Sequence, residues 1–277
     1  MKYVELPGGE RIPALGQGTW RMGERPQDRE REVEAVRAGI DAGLTLIDTA
    51  EMYGNGGAER IVGEAMGNRR EELFLVSKVF PHNASRGGVR AACKASLARL
   101  GTGRLDLYLL HWRGGADLAE AVAGFEDLQR EGLIRHWGVS NFDASDLADL
   151  WKVPGGDACS ANQLLYHLGE RTIENDPLPW MRQHGIPAMA YCPLGQRRLL
   201  EQPALRAFAE RNGITPAQTA LAWLQAHDDV IAIPKTSNPE RQAENRASAE
   251  TTLTQEQLAE LERLFPRPER HGPLPIV

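Results

Sequence analysis

The feature that most limits what this chain can fold into is a regular alternation of two patterns. Short, mostly apolar runs lie at Thr45 to Ile47, Leu73 to Ser77, Leu105 to Leu110, Ile134 to Val139, Ala158 to Asn162, Ile186 to Ala190 and Val230 to Pro234, with a first run near Leu15 to Gly18. Runs of this length and character suit strands covered on both faces. Between them, apolar residues recur at helical spacing: Val33, Val36 and Ile40; Val89, Cys93, Leu97 and Leu100; Leu118, Val122, Phe125 and Leu128. Gly43, Gly101 and Gly132 follow these faces where a helix-ending glycine belongs. Eight such β/α units make either a closed parallel barrel or a doubly wound sheet. The leading segment Tyr3 to Ala14, with Pro7-Gly8-Gly9 in its middle, reads as a hairpin ahead of the first of these strands. Thr215-Pro216-Ala217-Gln218 and Thr254-Gln255-Glu256-Gln257 are capping boxes that start late helices.

Nothing divides this pattern. Gly and Pro are spread as punctuation, and 277 residues is the size of one α/β barrel, so residues 1–277 are expected to form a single domain. A net charge of −6 lacks the basic face that nucleic acid or an anionic membrane needs, which leaves small molecules as the expected partners and a monomer as the expected state. The amino terminus has no apolar signal region and no stretch is long enough to span a bilayer; the expected location is the cytoplasm. Cys93, Cys159 and Cys192 are far apart and odd in number, so free thiols are expected rather than disulfides or a metal clasp.

Polar residues are placed unusually against the apolar runs. Asp48, Lys78, His111, Ser140-Asn141, Gln163, Tyr191 and Lys235 each stand at or just past the carboxyl end of an expected strand. In a barrel those ends share one rim, and the rim is where such folds build their sites. Singly, each has an ordinary reading: a loop-capping carboxylate, a snorkelling lysine, a hydrogen-bonded core imidazole. Together with Tyr53, a Tyr, Lys, Asp and His at one mouth are the parts that carbonyl reduction needs. A phenol is a poor acid at neutral pH unless a nearby cation stabilises its phenolate, and a lysine held by a carboxylate provides one.

The motifs carrying these residues resemble those of the aldo-keto reductases. The stretch Leu44 to Gly54, followed by Glu59-Arg60-Ile61-Val62-Gly63, is similar to that family's first signature. Lys78 in Val76-Ser77-Lys78-Val79 and His111 in Leu109-Leu110-His111-Trp112 follow in the family's order, as do Gly138-Val139-Ser140-Asn141-Phe142, Asn162-Gln163, Tyr191-Cys192-Pro193-Leu194-Gly195 and Ile233-Pro234-Lys235-Thr236. The likeness runs from Gly16-Gln17-Gly18-Thr19-Trp20 to Asn245 and looks closest to compact bacterial members associated with methylglyoxal and other small or aromatic aldehydes.

The resemblance implies a (β/α)8 barrel and an NADPH-dependent reduction of aldehydes or ketones. Tyr53 would give the proton to the carbonyl oxygen, Lys78 would lower the Tyr53 pKa, Asp48 would pair with Lys78, and His111 would orient the carbonyl or share in its protonation. Tyr191 would stack on the nicotinamide, with Ser140, Asn141 and Gln163 on its carboxamide. Gly18, Thr19, Trp20, Asp48, Pro193, Leu194, Thr236 and Ser237 would complete the cofactor contacts. Lys235 and Arg241 would meet the adenosine 2′-phosphate, and Glu244 and Asn245 the adenine. Gly16 to Arg21 breaks the G-x-G-x-x-G pattern at its last glycine, so the cofactor is not expected to be held as in a dinucleotide-binding sheet. Asn238-Pro239 has the form of an N-cap with Pro at N1, which puts a helix amino terminus beside an anion. Trp20, Tyr53, His111 and Trp112 would wall the substrate site. No metal is implied. The segments after His111 and Tyr191 and the tail from Pro266 are short, so an open mouth is expected. The competing reading is a regulatory barrel that binds the nucleotide and turns over slowly; the complete tetrad favours the enzyme.

Overall fold

The computed structural model describes residues 1–269 and 272–276. A two-stranded antiparallel hairpin, β1 (Tyr3–Glu5) and β2 (Arg11–Pro13), precedes eight parallel strands: β3 (Gln17–Gly18), β4 (Leu46–Asp48), β5 (Phe74–Val79), β6 (Leu105–Leu110), β7 (Ile134–Ser140), β8 (Asn162–Leu165), β9 (Ala188–Tyr191) and β10 (Val230–Ala232). The helices are α1 (Arg29–Asp41), α2 (Gly57–Met66), α3 (Arg86–Leu100), α4 (Leu118–Arg130), α5 (Ala144–Leu150), α6 (Pro177–Gln183), α7 (Pro203–Arg211), α8 (Pro216–Gln225), α9 (Pro239–Ala247) and α10 (Gln255–Leu264). Strands pair in chain order from β3 to β10. Gly16 N–H donates to the Ala232 carbonyl at 2.9 Å and Gly18 N–H to the Pro234 carbonyl at 3.0 Å, which brings the last strand back to the first and closes the (β/α)8 barrel.

Closure explains the Gly16-Gln17-Gly18 motif. A Cβ on Gly16 would lie 2.6 Å from the Leu46 carbonyl oxygen, and one on Gly18 2.8 Å from that of Ile233. Both approaches are closer than any side chain tolerates, so glycine is what lets β3 fit between its neighbours. The motif shapes a seam of the barrel.

The period-two alternation of the strands divides the core. Leu46, Phe74, Val76, Leu107, Leu109, Met189 and Ile231 fill the barrel interior, and Val4, Leu6 and Ile12 of the hairpin plug its amino-terminal end. The alternate residues, Ile47, Leu75, Tyr108, Trp137 and Ala190 among them, pack outward against the helices. Phe125 of α4 stacks on Trp137 of β7 with ring centroids 5.3 Å apart. Cys93 and Cys159 are buried within this outer layer, where burial pushes both thiols up to about 12. They are protonated and act as small apolar groups.

Most expected elements lie within two residues of their positions, and the exception has a local cause. The strand expected at Ala158 to Asn162 is instead β8 at Asn162–Leu165, because Gly155, with φ near +78°, starts a 3-10 turn over Gly156–Ala158 that consumes the start of the apolar run. Both capping boxes form as expected at Thr215 and Thr254, and a third stands at Asp143, whose side chain accepts from Asp146 N–H.

Candidate active site

On β5 the alternation that turns Phe74 and Val76 inward also turns Lys78 inward, one layer above them. The same parity places Asp48 above Leu46, His111 above Leu109, Gln163 above Ala161, and Tyr191 above Met189. A polar layer therefore caps the apolar barrel interior at the carboxyl rim. Lys78 is fully buried, and its Nζ donates to Asp48 Oδ2 at 2.8 Å, to the Thr49 carbonyl at 2.9 Å and to the Tyr53 hydroxyl oxygen at 3.0 Å. All three of its donors are engaged. Asp48 is held from its other side by Gln163 Nε2 at 2.7 Å, and Thr19 Oγ donates to the Asp48 carbonyl at 2.9 Å. Asp48, Lys78 and Tyr53 are thus one connected set whose geometry is fixed from behind.

Burial raises the Asp48 carboxyl and lowers the Lys78 ammonium, each against the attraction of the other. Burial also pushes the Tyr53 phenol well above its ordinary value, with the Asp48 charge adding to the rise. The Lys78 ammonium, 3.0 Å from the phenol oxygen, favours the phenolate against that burial. The phenol stays protonated at neutral pH, and because its oxygen accepts from Lys78 its own proton is left for another acceptor. The His111 imidazole is driven well below its usual range by burial and by the Lys78 charge, so it is neutral. Its ring meets Tyr53 edge-on at 5.7 Å, and Trp112 and Phe80 close the aromatic side of the site.

On the opposite side, Tyr191 donates its hydroxyl to Asn141 Oδ1 at 2.9 Å, and Asn141 Nδ2 donates to the His111 carbonyl and to Ser140 Oγ, each at 3.1 Å. Asn141 holds a left-handed conformation, φ near +59°, which turns the chain at the end of β7 and aims the amide across the mouth. Ser140 Oγ donates to the Gln163 carbonyl at 2.9 Å.

Two adjoining clefts open at the rim and share Trp20, Cys192 and Lys235. The smaller, about 150 Å³, is lined by Gly18, Asp48, Tyr53, His111, Trp112, Ser140, Asn141, Gln163 and Tyr191. The larger, about 610 Å³, runs outward past Pro193, Leu194, Thr236, Arg241, Glu244 and Asn245. Of the residues expected at the site, Lys78 and Thr19 lie behind the walls, and Ser237 lines neither cleft. Asn238 caps α9 by accepting from Glu240 N–H at 2.8 Å, with Pro239 at N1.

Several lining residues were not expected. Arg21, Arg197 and Arg206 join Lys235 and Arg241 along the larger cleft, and Met52 and Ile276 line the smaller one. Ile276, itself largely exposed, stands at that mouth. The Pro-rich tail is held down by Arg171, which donates to the Phe265 carbonyl at 2.8 Å, and by Asn175, which donates to the Pro268 carbonyl at 2.7 Å, and its end returns to the rim. The basic pair in Gln196-Arg197-Arg198 was a usable signal for the larger cleft; nothing local marks Ile276.

A barrel with a buried Lys–Asp pair behind a rim tyrosine, beside a long cleft rich in cations, defines a class of nucleotide-linked oxidoreductase barrels. The chain belongs to the Aldo/keto reductase family, whose profile matches residues 14–265. It is 49% identical over 283 residues to a methylglyoxal reductase of Escherichia coli, YeaE, with 100% of this chain and 99% of that protein covered. It is 34% identical over 275 residues to a glyoxal reductase of Bacillus subtilis, covering 98% of this chain and 95% of the other. Among solved structures, an aldo-keto reductase from Klebsiella pneumoniae in complex with NADPH superposes with a TM-score of 0.96 at 48% identity, covering 100% of this chain and 99% of that one.

Proposed function

We propose that this protein reduces small or aromatic aldehydes and related ketones with NADPH, as a cytoplasmic monomer built of one domain over residues 1–277. The observation that carries the reading is Tyr53 in the smaller cleft, its oxygen 3.0 Å from a fully buried Lys78 that is itself paired with Asp48. The larger cleft fits the dinucleotide: its cations suit phosphates, and the Asn245 amide nitrogen is buried there with no partner among the described residues. When bound, the cofactor supplies hydride. Tyr53 gives its proton to the carbonyl oxygen and Lys78 holds the phenol oxygen as negative charge develops on it. Neutral His111 orients the carbonyl, while Asp48 keeps Lys78 charged and in place. Ser140, Asn141 and Gln163 would hold the nicotinamide carboxamide, and Tyr191 would pack on its ring.

The reading is tested by following NADPH absorbance with methylglyoxal and with a nitrobenzaldehyde. Steady consumption with at least one supports it; tight NADPH binding without turnover on a panel of carbonyl compounds refutes it. Two variants check its parts. Arg241→Ala removes a guanidinium suited to a 2′-phosphate, so NADPH should bind roughly tenfold more weakly, or worse, while NADH is little changed. Equal weakening of both would remove Arg241 from cofactor choice. Trp112→Ala opens the aromatic wall and should raise KM for aromatic aldehydes more than for methylglyoxal. Unchanged kinetics with a lowered Tm would make Trp112 a packing residue only.

A further inference from the structure

Helix α9 differs from the longer helices in what it buries. Its buried side chains are Gln242 and Asn245, both amides, whereas α1, α3 and α4 each bury an aliphatic face. Apolar burial therefore does little to fix α9 against the barrel, and hydrogen bonds must do it. The bond that ties it to the strands joins two glutamines from opposite ends of the chain: Gln242 Nε2 donates to Gln17 Oε1 at 2.7 Å. Gln17 lies on β3, fully buried and facing the helices, and its own Nε2 donates to the Leu44 carbonyl at 2.9 Å and the Val36 carbonyl at 3.4 Å. Carbonyls only accept, so they fix which way the Gln17 amide points and leave its oxygen to be met by a donor. A Cβ on Gly39 of α1 would lie 2.1 Å from that oxygen, so the glycine of α1 provides the space in which the two amides meet.

The pair sits between the parts of the larger cleft. Gln17 immediately precedes Gly18, where β3 leads into Trp20 and Arg21; Gln242 immediately follows Arg241 and lies three residues before Asn245. Neither glutamine lines a cleft. We infer that the Gln17–Gln242 bond positions α9 for cofactor selection, setting its height and rotation against β3 so that Arg241 meets the 2′-phosphate of a dinucleotide whose other end lies at the strand ends. Both glutamines are positioning residues, and the inference rests on the NADPH reading above.

Methionine matches glutamine in length and removes its hydrogen bonding. Dissociation constants for NADPH and NADH, together with Tm, would be measured for wild type, Gln242→Met, Gln17→Met and, as a comparison, Leu261→Ala in the core of α10. The glutamine variants should bind NADPH about tenfold more weakly, the scale of one lost hydrogen bond to a charged group, with NADH within about threefold of wild type. Their kcat at saturating NADPH should be retained. Leu261→Ala should lower Tm and leave the NADPH-to-NADH ratio untouched. The two glutamine variants break the bond from different ends, so either that folds gives the answer. A wild-type ratio in the variants, whatever their Tm, overturns the inference; a wild type with no preference for NADPH instead overturns the cofactor reading on which it rests.

Discussion

Tyr53→Phe is expected to reduce turnover by at least ~10²–10⁴-fold, the range for loss of a positioned general acid, while NADPH binds as in wild type. The substitution removes a single oxygen. Lys78 keeps its bonds to Asp48 and the Thr49 carbonyl, so the layer behind the rim persists and the protein should fold. His111 cannot take over as acid, because burial and the Lys78 charge keep its imidazole neutral. The measurements are kcat with methylglyoxal and the NADPH dissociation constant from quenching of tryptophan fluorescence. A kcat within a few-fold of wild type would mean that the proton comes from another group and would overturn the proposed mechanism.

Lys78→Met is expected to fail in two ways at once. It leaves the Asp48 carboxylate buried with the Gln163 amide as its side-chain partner, and breaking a buried ion pair from one side destabilises a protein by roughly 3–5 kcal/mol. It also strips the phenol of the cation that touches its oxygen, so the folded fraction should turn over no faster than Tyr53→Phe. The double variant Asp48→Asn/Lys78→Met separates the effects. Removing both charges should recover much of the stability, because no uncompensated ion remains, and none of the activity. A double variant as unstable as Lys78→Met would show that the pair matters for its packing rather than its charge. Recovered turnover would remove Lys78 from the chemistry.

Most of the polar rim layer was legible in the sequence because a strand has period two, whereas Tyr53 stands in the loop after β4 and was marked by its motif. Once Phe74 and Val76 are inward, Lys78 must be inward too, and a strand end must lie on the rim; the same reasoning brings in Asp48, His111 and Tyr191. Helix starts were legible for a similar reason, since a capping box is local chemistry. What escaped is what depends on contact between distant segments. The Gln17–Gln242 bond, the return of Ile276 to the mouth and the glycine-lined closure at Gly16 and Gly18 leave no periodic trace.

The seam between β3 and β10 has a consequence for how the activity arises as the chain is made. The strands that meet there come from opposite ends of the sequence, and the residues that straddle the junction, Gly18 and Lys235, both line the smaller cleft. The inner strands can pair with sequence neighbours as each β/α unit emerges, since those contacts close short loops. The seam cannot form until the last strand has left the ribosome. A truncated or stalled chain can therefore carry Asp48, Tyr53, Lys78 and His111 on properly paired strands and still lack the far wall of the mouth, so competence comes late in synthesis and nearly all at once.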